Sequence, residues 1–527
     1  MPFSWEFPYP SRRMPVLARN AVATSQPLAA QAGLRMLLAG GNAVDAAVAA
    51  AIALTVVEPT GNGIGGDAFA ILWDGTALHG LNSSGRSPQA WSPRRFAGRA
   101  AMPALGWDTV TVPGAVAAWA ALSGRFGRLP FAELFQPAVA YARDGFPVSP
   151  ITAERWCQAQ TCYSEFAEIN RIFFPGGRAP RAGEVFRCPD QADTLTLIAE
   201  SRGEAFYRGA LADKLAACAA SEGGALTAAD LAGHTADWVT PLSVDYRGVT
   251  LHEIPPNGQG MAALIALGIL SHFDLGSLAV DSVDSIHLQI EAMKRAFSEV
   301  FRHVADSDHM TIPPEDLLRA DALTAAAEAI RRDRAAAALG GPPAGGGTVY
   351  LTAADAAGRM VSLIQSNYLG FGSGVVVPGT GIALQNRGLG FVLAEGHPNR
   401  VAGGKRPFHT IIPGFLTRSG RPLMSFGVMG AHMQPQGHVQ MVVRICDYGQ
   451  NPQAACDAPR WHVAADGSVQ LEEGFAPEVE EGLRRRGHPV TTEAPESLFG
   501  GGQLIWRLAD GYAAASDMRK DGQAVGF

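Results

Sequence analysis

The dipeptide Gly347-Thr348 is the place in this chain where residue types and spacing most clearly allow covalent chemistry. It joins a glycine-rich stretch to a run of strand-forming residues. A threonine that becomes N-terminal after chain cleavage carries its own free amine, whose pKa near ~8 lets it accept the hydroxyl proton. Nucleophile and base would then lie on one residue, with no need for a neighbouring histidine. By spacing alone, however, Gly-Gly-Gly-Thr before a strand is more typical of an ordinary linker end.

A second glycine-rich motif, GNGIGG at 61–66, matches the dinucleotide pattern G-x-G-x-x-G. That pattern requires a strand before it and a helix after it, whereas here an alanine-rich helical segment precedes and the strand-like DAFAILW follows. The order favours a glycine-rich turn packed close to a helix. The sequence has no G-x-S-x-G elbow, P-loop or H-E-x-x-H motif, so those hydrolase and kinase mechanisms have no support.

The elements that must position Thr348 are predicted from hydrophobic periodicity. Residues 25–57 carry Ala and Leu at helical spacing, broken by Gly40-Gly41-Asn42, which predicts two packed helices followed by strands. From about 110 to 340 the pattern is mainly helical, with a strand pair near 243–254.

The clearest break in the chain is the segment 334–347, RAAAALGGPPAGGG, which has the composition of an exposed flexible connector. Strand patterns follow it, in TVYLTAADAAG, RMVSLIQSN, GTGIALQN, RPLMSFGVMG, SVQLEEGF and GGQLIWRLADGYAAASD, with helices near 434–448 and 476–486. Strands in both halves with helices between them predict a layered α/β protein.

Composition excludes several classes of protein. The 527 residues are 47% hydrophobic and 17% charged, which is typical of a large folded chain rather than a small stapled module or a disordered one. The net charge of −7, without a basic block, argues against nucleic acid or a membrane surface as a partner. The six cysteines form no CxxC pair, so neither a disulfide scaffold nor a metal site is indicated.

The N-terminal residues predict a cytoplasmic protein. The segment MPFSWEFPYPSRRMPVLARN has no apolar run followed by a small-residue cleavage site. The longest nearly apolar run, Ala46 to Val57, is too short to cross a bilayer.

The chain resembles the gamma-glutamyltranspeptidase family of N-terminal-nucleophile hydrolases along nearly its whole length. Five ordered blocks carry the resemblance: GLRMLLAGGNAVDAAVAAAIALTVVEPTGNGIGGDAF at 33–69, TVYLTAAD at 348–355, GFGSGVVVPGTGIALQN at 370–386, KRPFHTIIP at 405–413 and DYGQNPQAACDAPRWH at 447–462. The resemblance implies a four-layer αββα sandwich and a proenzyme that cleaves itself between Gly347 and Thr348. A large subunit, 1–347, and a small one, 348–527, would come from one precursor, with no metal or organic cofactor. It leaves open the oligomeric state, including a dimer of heterodimers.

The resemblance also assigns the reacting groups. Thr348 stands where the family has its nucleophile, and Ser366 where the family keeps a second threonine whose hydroxyl bonds the nucleophile. That change preserves a donor and an acceptor. Gly430 and Ala431 match two successive glycines whose backbone N–H groups form the oxyanion hole, and an N–H survives a change from Gly to Ala.

The substrate pocket departs from the family pattern. The family holds a glutamyl α-amino and α-carboxylate with polar and acidic side chains, but the aligned positions here are Tyr368, Arg387, Gly390, His409 and Thr410. The acid for the α-ammonium is missing, and Ser84 replaces the family arginine, with Arg86 two residues on. A guanidinium fork suits a carboxylate, so Arg86 and Arg387 are candidates for binding an anionic substrate without an amino group. The alternative for each is a surface or loop arginine, and for Tyr368 a core tyrosine rather than a cap over the pocket.

Three further segments, IPPNGQG at 254–260, SLIQSNYLGFGSG at 362–374 and LNSSGRSP at 81–88, are most similar to the cytoplasmic branch of the family that includes oxamate amidohydrolase. The implied substrate is a small carboxylate-bearing amide, with oxamate of purine-nitrogen catabolism, cleaved to oxalate and ammonia, as the best candidate. Three alternatives remain: a γ-glutamyl hydrolase or transpeptidase, a cephalosporin- or acyl-type amidase, and an uncleaved member that acts as a binding or scaffold protein.

Overall fold

The computed structural model describes residues 13–336 and 347–527. Its helices are α1 (Pro27–Leu38), α2 (Ala43–Val57), α3 (Ala115–Phe126), α4 (Gln136–Asp144), α5 (Pro150–Ala159), α6 (Ala167–Phe173), α7 (Pro189–Glu200), α8 (Glu204–Arg208), α9 (Ala210–Ser221), α10 (Ala228–Ala232), α11 (Met261–Leu270), α12 (Val283–His303), α13 (Ala320–Glu328), α14 (Met433–Cys446), α15 (Pro452–Asp457) and α16 (Pro477–Arg485). Short 3₁₀ turns connect several of them.

The strands are β1 (Val16–Ala18), β2 (Ala21–Thr24), β3 (Asp67–Trp73), β4 (Leu78–Ser83), β5 (Phe146–Pro147), β6 (Val185–Phe186), β7 (Asp237–Val239), β8 (Leu242–Tyr246), β9 (Val249–Glu253), β10 (Gly347–Ala354), β11 (Met360–Tyr368), β12 (Val376–Val377), β13 (Ile382–Ala383), β14 (Gly414–Arg418), β15 (Arg421–Met429), β16 (Trp461–Val463), β17 (Val469–Leu471), β18 (Val490–Thr491), β19 (Gly501–Leu508), β20 (Gly511–Ser516) and β21 (Gln523–Gly526).

The two predicted helices of residues 25–57 are confirmed as α1 and α2. Asn42 caps α2, because its side chain accepts hydrogen bonds from the N–H groups of Val44 and Asp45, while Asp45 accepts from the Asn42 N–H. Every residue of α2 is buried. That explains why its sequence is apolar on all sides rather than on one stripe.

Two antiparallel sheets form the centre of the molecule. The first sheet has the strand order β21-β2-β10-β11-β3-β4-β7, and the second sheet has the order β1-β20-β19-β15-β14-β9-β8. Side chains of both sheets meet in a buried cluster that includes Phe69, Tyr350, Ile364, Phe415 and Ile505. Because alternate residues of a strand point to opposite faces, each sheet also has an outer face to cover.

Helices cover both outer faces. On the first sheet, α2 packs against β10 and β11, and α1 packs against β2. On the second sheet, α11 packs against β8 and β9, and α14 packs against β15. The predicted four-layer αββα sandwich is therefore confirmed.

Several details differ from the sequence prediction. GTGIALQN was predicted as a strand, but only β13, a two-residue strand, forms there, because the chain turns at Gly379 and Gly381 with positive φ. Most of the predicted connector, residues 337–346, lies outside the described residues. Among the helices that the structure describes, none combines the length and apolarity needed to cross a bilayer.

Candidate active site

Thr348 lies near the start of β10, at the centre of the first sheet. The pairing of β10 with β11 shifts register between Gly347 and Val349, so Thr348 sits at an irregularity of the ladder. Its hydroxyl donates a 3.4 Å hydrogen bond to Ser366 Oγ on β11. Both side chains are buried. The structure thus brings together the two hydroxyls that the resemblance places at the reacting centre.

Ser366 also holds the peptide bond that would be cut. Its hydroxyl donates a 2.6 Å hydrogen bond to the carbonyl oxygen of Gly347, while the N–H of Tyr368 donates to Ser366 Oγ at 2.7 Å. With Thr348 also donating to Ser366 Oγ, the proton of Ser366 is directed at the Gly347 carbonyl. A donor on that oxygen polarises the carbonyl toward attack.

The glycines of residues 61–66 pack directly beneath this centre. A Cβ added at Gly61 would lie 3.1 Å from the Thr348 nitrogen, and one at Gly66 would lie 2.7 Å from the Ser366 carbonyl oxygen. At Gly63 it would lie 2.9 Å from the Asn367 amide nitrogen. The predicted close-packed glycine turn is confirmed, and its surroundings explain why side chains are absent there.

Gly430 and Ala431 form the turn between β15 and α14. Their φ angles are 116° and 49°, so Ala431 adopts a left-handed conformation that is unfavourable for a residue with a Cβ. The Met433 N–H donates to the Gly430 carbonyl at 2.8 Å, and Gln259 Nε2 donates to the Ala431 carbonyl at 2.8 Å. Within the part of the chain that the structure describes, no turn or loop hydrogen bond uses the N–H group of Gly430 or Ala431 as its donor. These are the two N–H groups that the resemblance assigns to the oxyanion hole.

Arg387 is the most informative side chain among the positions that align with the family's substrate-binding residues. It is 1% exposed, and its Nη1 donates a 2.7 Å hydrogen bond to Thr410 Oγ1. Its guanidinium carbon lies 4.6 Å from the centre of the Tyr368 ring. Nε and Nη2 are buried and have no partner among the described residues. Burial lowers the pKa of Arg387 to about 10, so the group stays charged at neutral pH. Unpaired buried donors of a cation are costly, and an anionic ligand would satisfy them.

An acid that the sequence prediction missed lies beside this arginine. Asp67 is the first residue of β3, opposite Ser366 in the ladder of β3 with β11. Burial raises the pKa of Asp67 to about 7, against the charge of Arg387 and the hydrogen bonds from the N–H groups of Gly114 and Gly85. The positions that align with the family's substrate-binding residues contain no acid, but Asp67 lies outside those positions.

Both ring nitrogens of His409 form hydrogen bonds within the protein. Its Nδ1 accepts a 3.3 Å hydrogen bond from the Ile411 N–H, so its Nε2 carries the proton and donates it to Asp67 Oδ2 at 3.1 Å. Burial, reinforced by Arg387, lowers the pKa of His409 well below its usual value. His409 therefore holds Asp67 as a neutral imidazole rather than presenting a free nitrogen to a substrate.

Gln259 joins Thr410 to the Gly430-Ala431 turn, and the sequence prediction did not include it. Its Nε2 donates to the carbonyl oxygens of Thr410, at 2.6 Å, and Ala431. Its Oε1 accepts from His432 Nδ1 at 2.9 Å. Gln259 belongs to IPPNGQG, a segment that carried part of the resemblance. Its contacts could not be predicted from that segment, because they join residues about 150 and 170 positions apart.

Arg86, the other candidate for the substrate carboxylate, lies elsewhere. Its side chain is 40% exposed, and its Nη1 donates to Asp306 Oδ2 at 2.9 Å and to the Gly404 carbonyl at 3.1 Å. Within the described residues it makes no hydrogen bond to Thr348, Ser366 or the pocket around Arg387. The alternative of a surface arginine therefore describes Arg86, which is exposed and paired with an acid, better than it describes the buried Arg387.

A cavity of about 290 Å³ opens beside Thr348 and Gly430. We call it the Thr348 cavity. Its wall is formed by Glu58, Thr60, Gly61, Arg155, Gln158, Ala159, Gly347, Thr348, Leu369, Gly370, Met429, Gly430, Ser497, Gly500 and Lys520. Tyr368, Arg387 and Thr410 are not among the residues that line it.

One group of side chains elsewhere has metal-ligand types: His287, Glu291 and His488. His488 Nε2 lies 2.8 Å from His287 Nδ1, and the other nitrogen of His488 lies 3.1 Å from Lys294 Nζ. Because an ammonium only donates, it fixes that nitrogen as an acceptor and His488 Nε2 as the donor to His287. The two histidines are thus paired with each other, and Glu291 accepts from Lys294 Nζ and from the Ala336 N–H.

Comparison with known proteins connects this geometry to relatives. The family model described as gamma-glutamyltranspeptidase matches residues 29–527. The glutathione hydrolase-like YwrD proenzyme of Bacillus subtilis is 36% identical, covering 97% of this chain and 98% of the relative. The oxamate amidohydrolase proenzyme of Klebsiella pneumoniae is 35% identical, covering 95% and 97%. The crystal structure of cephalosporin acylase from Bacillus halodurans is 49% identical, with a TM-score of 0.96 over 100% of this chain and 99% of that one.

Proposed function

The chain belongs to the gamma-glutamyltranspeptidase family, and we propose that it is an autoprocessed amidohydrolase of small amides whose acyl half carries a carboxylate. Oxamate, cleaved to oxalate and ammonia, is the substrate we put first. The family and its hydrolase activity follow from the comparisons, whereas the substrate and the residue roles below are our proposal.

Maturation would begin at the contact of Ser366 with the Gly347 carbonyl. Thr348 Oγ attacks the Gly347 carbonyl carbon, and the Ser366 hydroxyl stabilises the charge that develops on its oxygen. The Gly347–Thr348 C–N bond breaks as the acyl group moves to Oγ and the proton of Oγ passes to the departing nitrogen, and water then cleaves the ester. The products are a new Gly347 carboxylate and a free α-amine on Thr348.

Hydrolysis would use the same hydroxyl with the new amine as base. The amine takes the proton of Thr348 Oγ as that oxygen attacks the amide carbon, and the N–H groups of Gly430 and Ala431 bind the oxyanion. When the intermediate collapses, the C–N bond of the substrate breaks and the amine returns its proton to the leaving ammonia. Water then releases the acid from the acyl-threonine ester.

The observation that carries the substrate class is the pair of unpartnered donors on Arg387. A carboxylate accepts two parallel hydrogen bonds from a guanidinium fork. Tyr368 covers the face of the guanidinium, and Thr410 holds its Nη1. Arg387 packs on the ring of Tyr368, and the backbone N–H of Tyr368 donates to Ser366 Oγ, which also accepts from the Thr348 hydroxyl.

Two other substrate classes have specific support. The 49% identity to a cephalosporin acylase favours a longer or bulkier acyl group. The 36% identity to a glutathione hydrolase-like protein favours γ-glutamyl amides, but the one acid found beside Arg387, Asp67, already accepts from His409, Gly85 and Gly114. No free carboxylate in the described pocket is therefore assigned to an α-ammonium.

A series of primary amides tests the proposal. Oxamate, malonamate, succinamate and glutaramate differ only in the distance between carboxylate and amide, and ammonia release measures each one. We expect one member to exceed a neutral amide of equal length, such as butyramide, by at least tenfold in kcat/KM. A preference for neutral acyl amides, or for a γ-glutamyl anilide, would replace our substrate class with one of the other two.

The subunit organisation is part of the same proposal. We expect a large subunit of residues 1–347, a small subunit of residues 348–527, action in the cytoplasm, and no metal or organic cofactor. A dimer of heterodimers is one assembly consistent with this scheme. A chain that stayed uncut would instead be the binding or scaffold protein of the remaining alternative.

A further inference from the structure

Tyr368 has a backbone conformation that is rare for a residue with a large side chain. From the end of β11 onward, four alternate residues have positive φ: Tyr368 at 78°, Gly370 at 51°, Gly372 at 87° and Gly374 at 82°. Glycine occupies three of these positions, as expected where a Cβ is unfavourable. The tyrosine is the exception, so a contact in its surroundings must compensate for the strain at that position.

The backbone N–H of Tyr368 acts on the peptide bond proposed for cleavage. It donates to Ser366 Oγ at 2.7 Å, and the Ser366 hydroxyl donates in turn to the Gly347 carbonyl at 2.6 Å. Gly347 is also the residue opposite Tyr368 in the ladder of β10 with β11. A donor to a hydroxyl oxygen polarises that hydroxyl and strengthens the hydrogen bond that the hydroxyl donates. The Tyr368 N–H therefore strengthens the hydrogen bond from Ser366 to the Gly347 carbonyl.

The positive φ of Tyr368 lets this residue make two contacts at once. While the N–H is directed at Ser366, this angle sets the direction of the side chain and of the chain that follows. The ring lies against Arg387, whose guanidinium carbon is 4.6 Å from the ring centre. Tyr368 is 8% exposed and Arg387 is 1% exposed. A contact between a cation and a ring is strongest when both groups are removed from water, as they are here.

We propose that Tyr368 is a positioning residue for autoprocessing and that Arg387, packed on its ring, stabilises its left-handed conformation. The inference rests on the proposed function, because it concerns the step in which Thr348 attacks the Gly347 carbonyl. In the precursor, Arg387 fixes Tyr368, and the Tyr368 N–H fixes the hydroxyl of Ser366. In the mature enzyme, the same arginine binds the substrate carboxylate. Arg387 thus acts in a step that involves no substrate.

Substitutions at position 368 distinguish the backbone conformation from the ring. Tyr368→Ala keeps the Cβ that disfavours positive φ but loses the ring, so we expect autoprocessing to slow about tenfold. Tyr368→Gly loses the ring and the strain together, so its rate should stay within about threefold of the wild-type rate. Tyr368→Phe keeps the ring and should process at the wild-type rate. A side chain that only filled space would give the opposite order of the Ala and Gly variants, since alanine fills more space than glycine.

Combined substitutions test the part played by Arg387. Arg387→Gln removes the cation and should slow autoprocessing about tenfold in the wild-type background. In the Tyr368→Gly background the same substitution should have little effect, because no strain remains to be offset. Arg86→Gln is the matched control and should keep the wild-type rate, since the Arg86 side chain is 40% exposed and pairs with Asp306. Gel electrophoresis of chains from cell-free synthesis, sampled over time, gives each rate, and circular dichroism establishes that each variant is folded.

The outcomes distinguish this inference from the proposed function. Equal rates for Tyr368→Ala and Tyr368→Gly, or a faster Ala variant, would overturn the role of the backbone conformation. A loss of rate in Arg387→Gln that is equally large in both backgrounds would overturn the role of Arg387, and this comparison does not depend on the folding of Tyr368→Ala. In both cases a wild type that is cut before Thr348 would leave the proposed function intact. A wild-type chain that stays uncut would overturn the proposed function and the inference together.

Discussion

The hydroxyl of Ser366 donates a 2.6 Å hydrogen bond to the carbonyl oxygen of Gly347. This carbonyl belongs to the peptide bond with Thr348 that we propose is cleaved. We predict that Ser366→Ala slows autoprocessing by about a hundredfold, the usual cost of losing one donor to a developing oxyanion. Ser366→Thr, which restores the hydroxyl, should process at a rate near that of the wild type. Gel electrophoresis of the purified precursor over time measures the rate, and equal rates for the Ala and Thr variants would contradict the role of the hydroxyl.

Substitutions distinguish the roles of Arg387 and Arg86 in binding the substrate carboxylate. Arg387→Lys keeps a charge but loses the planar fork, so we predict that KM for the best carboxylate-bearing amide rises at least tenfold. Arg86→Gln should change that KM less than twofold, because Arg86 is occupied by Asp306 and the Gly404 carbonyl. Steady-state kinetics of both variants measures this, and the opposite ranking would move the carboxylate site to Arg86.

The titration of Asp67 predicts how substrate affinity depends on pH. Below its pKa of about 7, Asp67 is neutral and Arg387 attracts the substrate carboxylate without competition. Above that pKa, the ionised Asp67 repels the substrate, so KM should rise as pH increases from 6 to 8. Asp67→Asn should flatten the KM profile, whereas kcat should still follow the Thr348 amine. A KM that falls across this range in the wild type would exclude the effect.

The paired histidines predict a loss of stability in acid. Burial, together with Lys294 and His287, lowers the pKa of His488 to about 3, far below the ~6.5 of an unfolded chain. Between these values the unfolded state binds more protons, so the free energy of unfolding decreases as pH falls below 6.5. One such group accounts for about 3 kcal/mol at pH 4.5. Urea denaturation of the wild type and of His488→Gln at pH 6.5 and pH 4.5 measures the effect. The free energy of unfolding should decrease less between these pH values for the variant than for the wild type.

The sequence predicted the elements whose patterns are local. The helices α1 and α2 follow from alanine and leucine spacing broken at Gly40-Gly41-Asn42, and β10 and β11 follow from the strand-forming residues after residue 347. Thr348 could be singled out because a glycine-rich connector immediately precedes it. These signals lie within a few residues of the feature that they predict.

The pocket could not be derived in this way, because its contacts are distant in sequence. Asp67 meets His409 across 342 positions, and Arg86 meets Asp306 across 220. Nothing local distinguishes Arg387, buried with two free donors, from Arg86, exposed and paired. Only the three-dimensional fold decides which arginine is buried and which is exposed and paired with an acid.

The intact mass of the purified protein, measured beside that of Thr348→Ala, tests the central claim most directly. We predict two wild-type fragments of about 36 and 19 kDa from the 55.3 kDa chain, the smaller beginning Thr-Val-Tyr-Leu, and an uncut, folded and inactive variant. A wild-type chain that remains whole on incubation, or a Thr348→Ala variant that is still cut before residue 348, would contradict the threonine nucleophile.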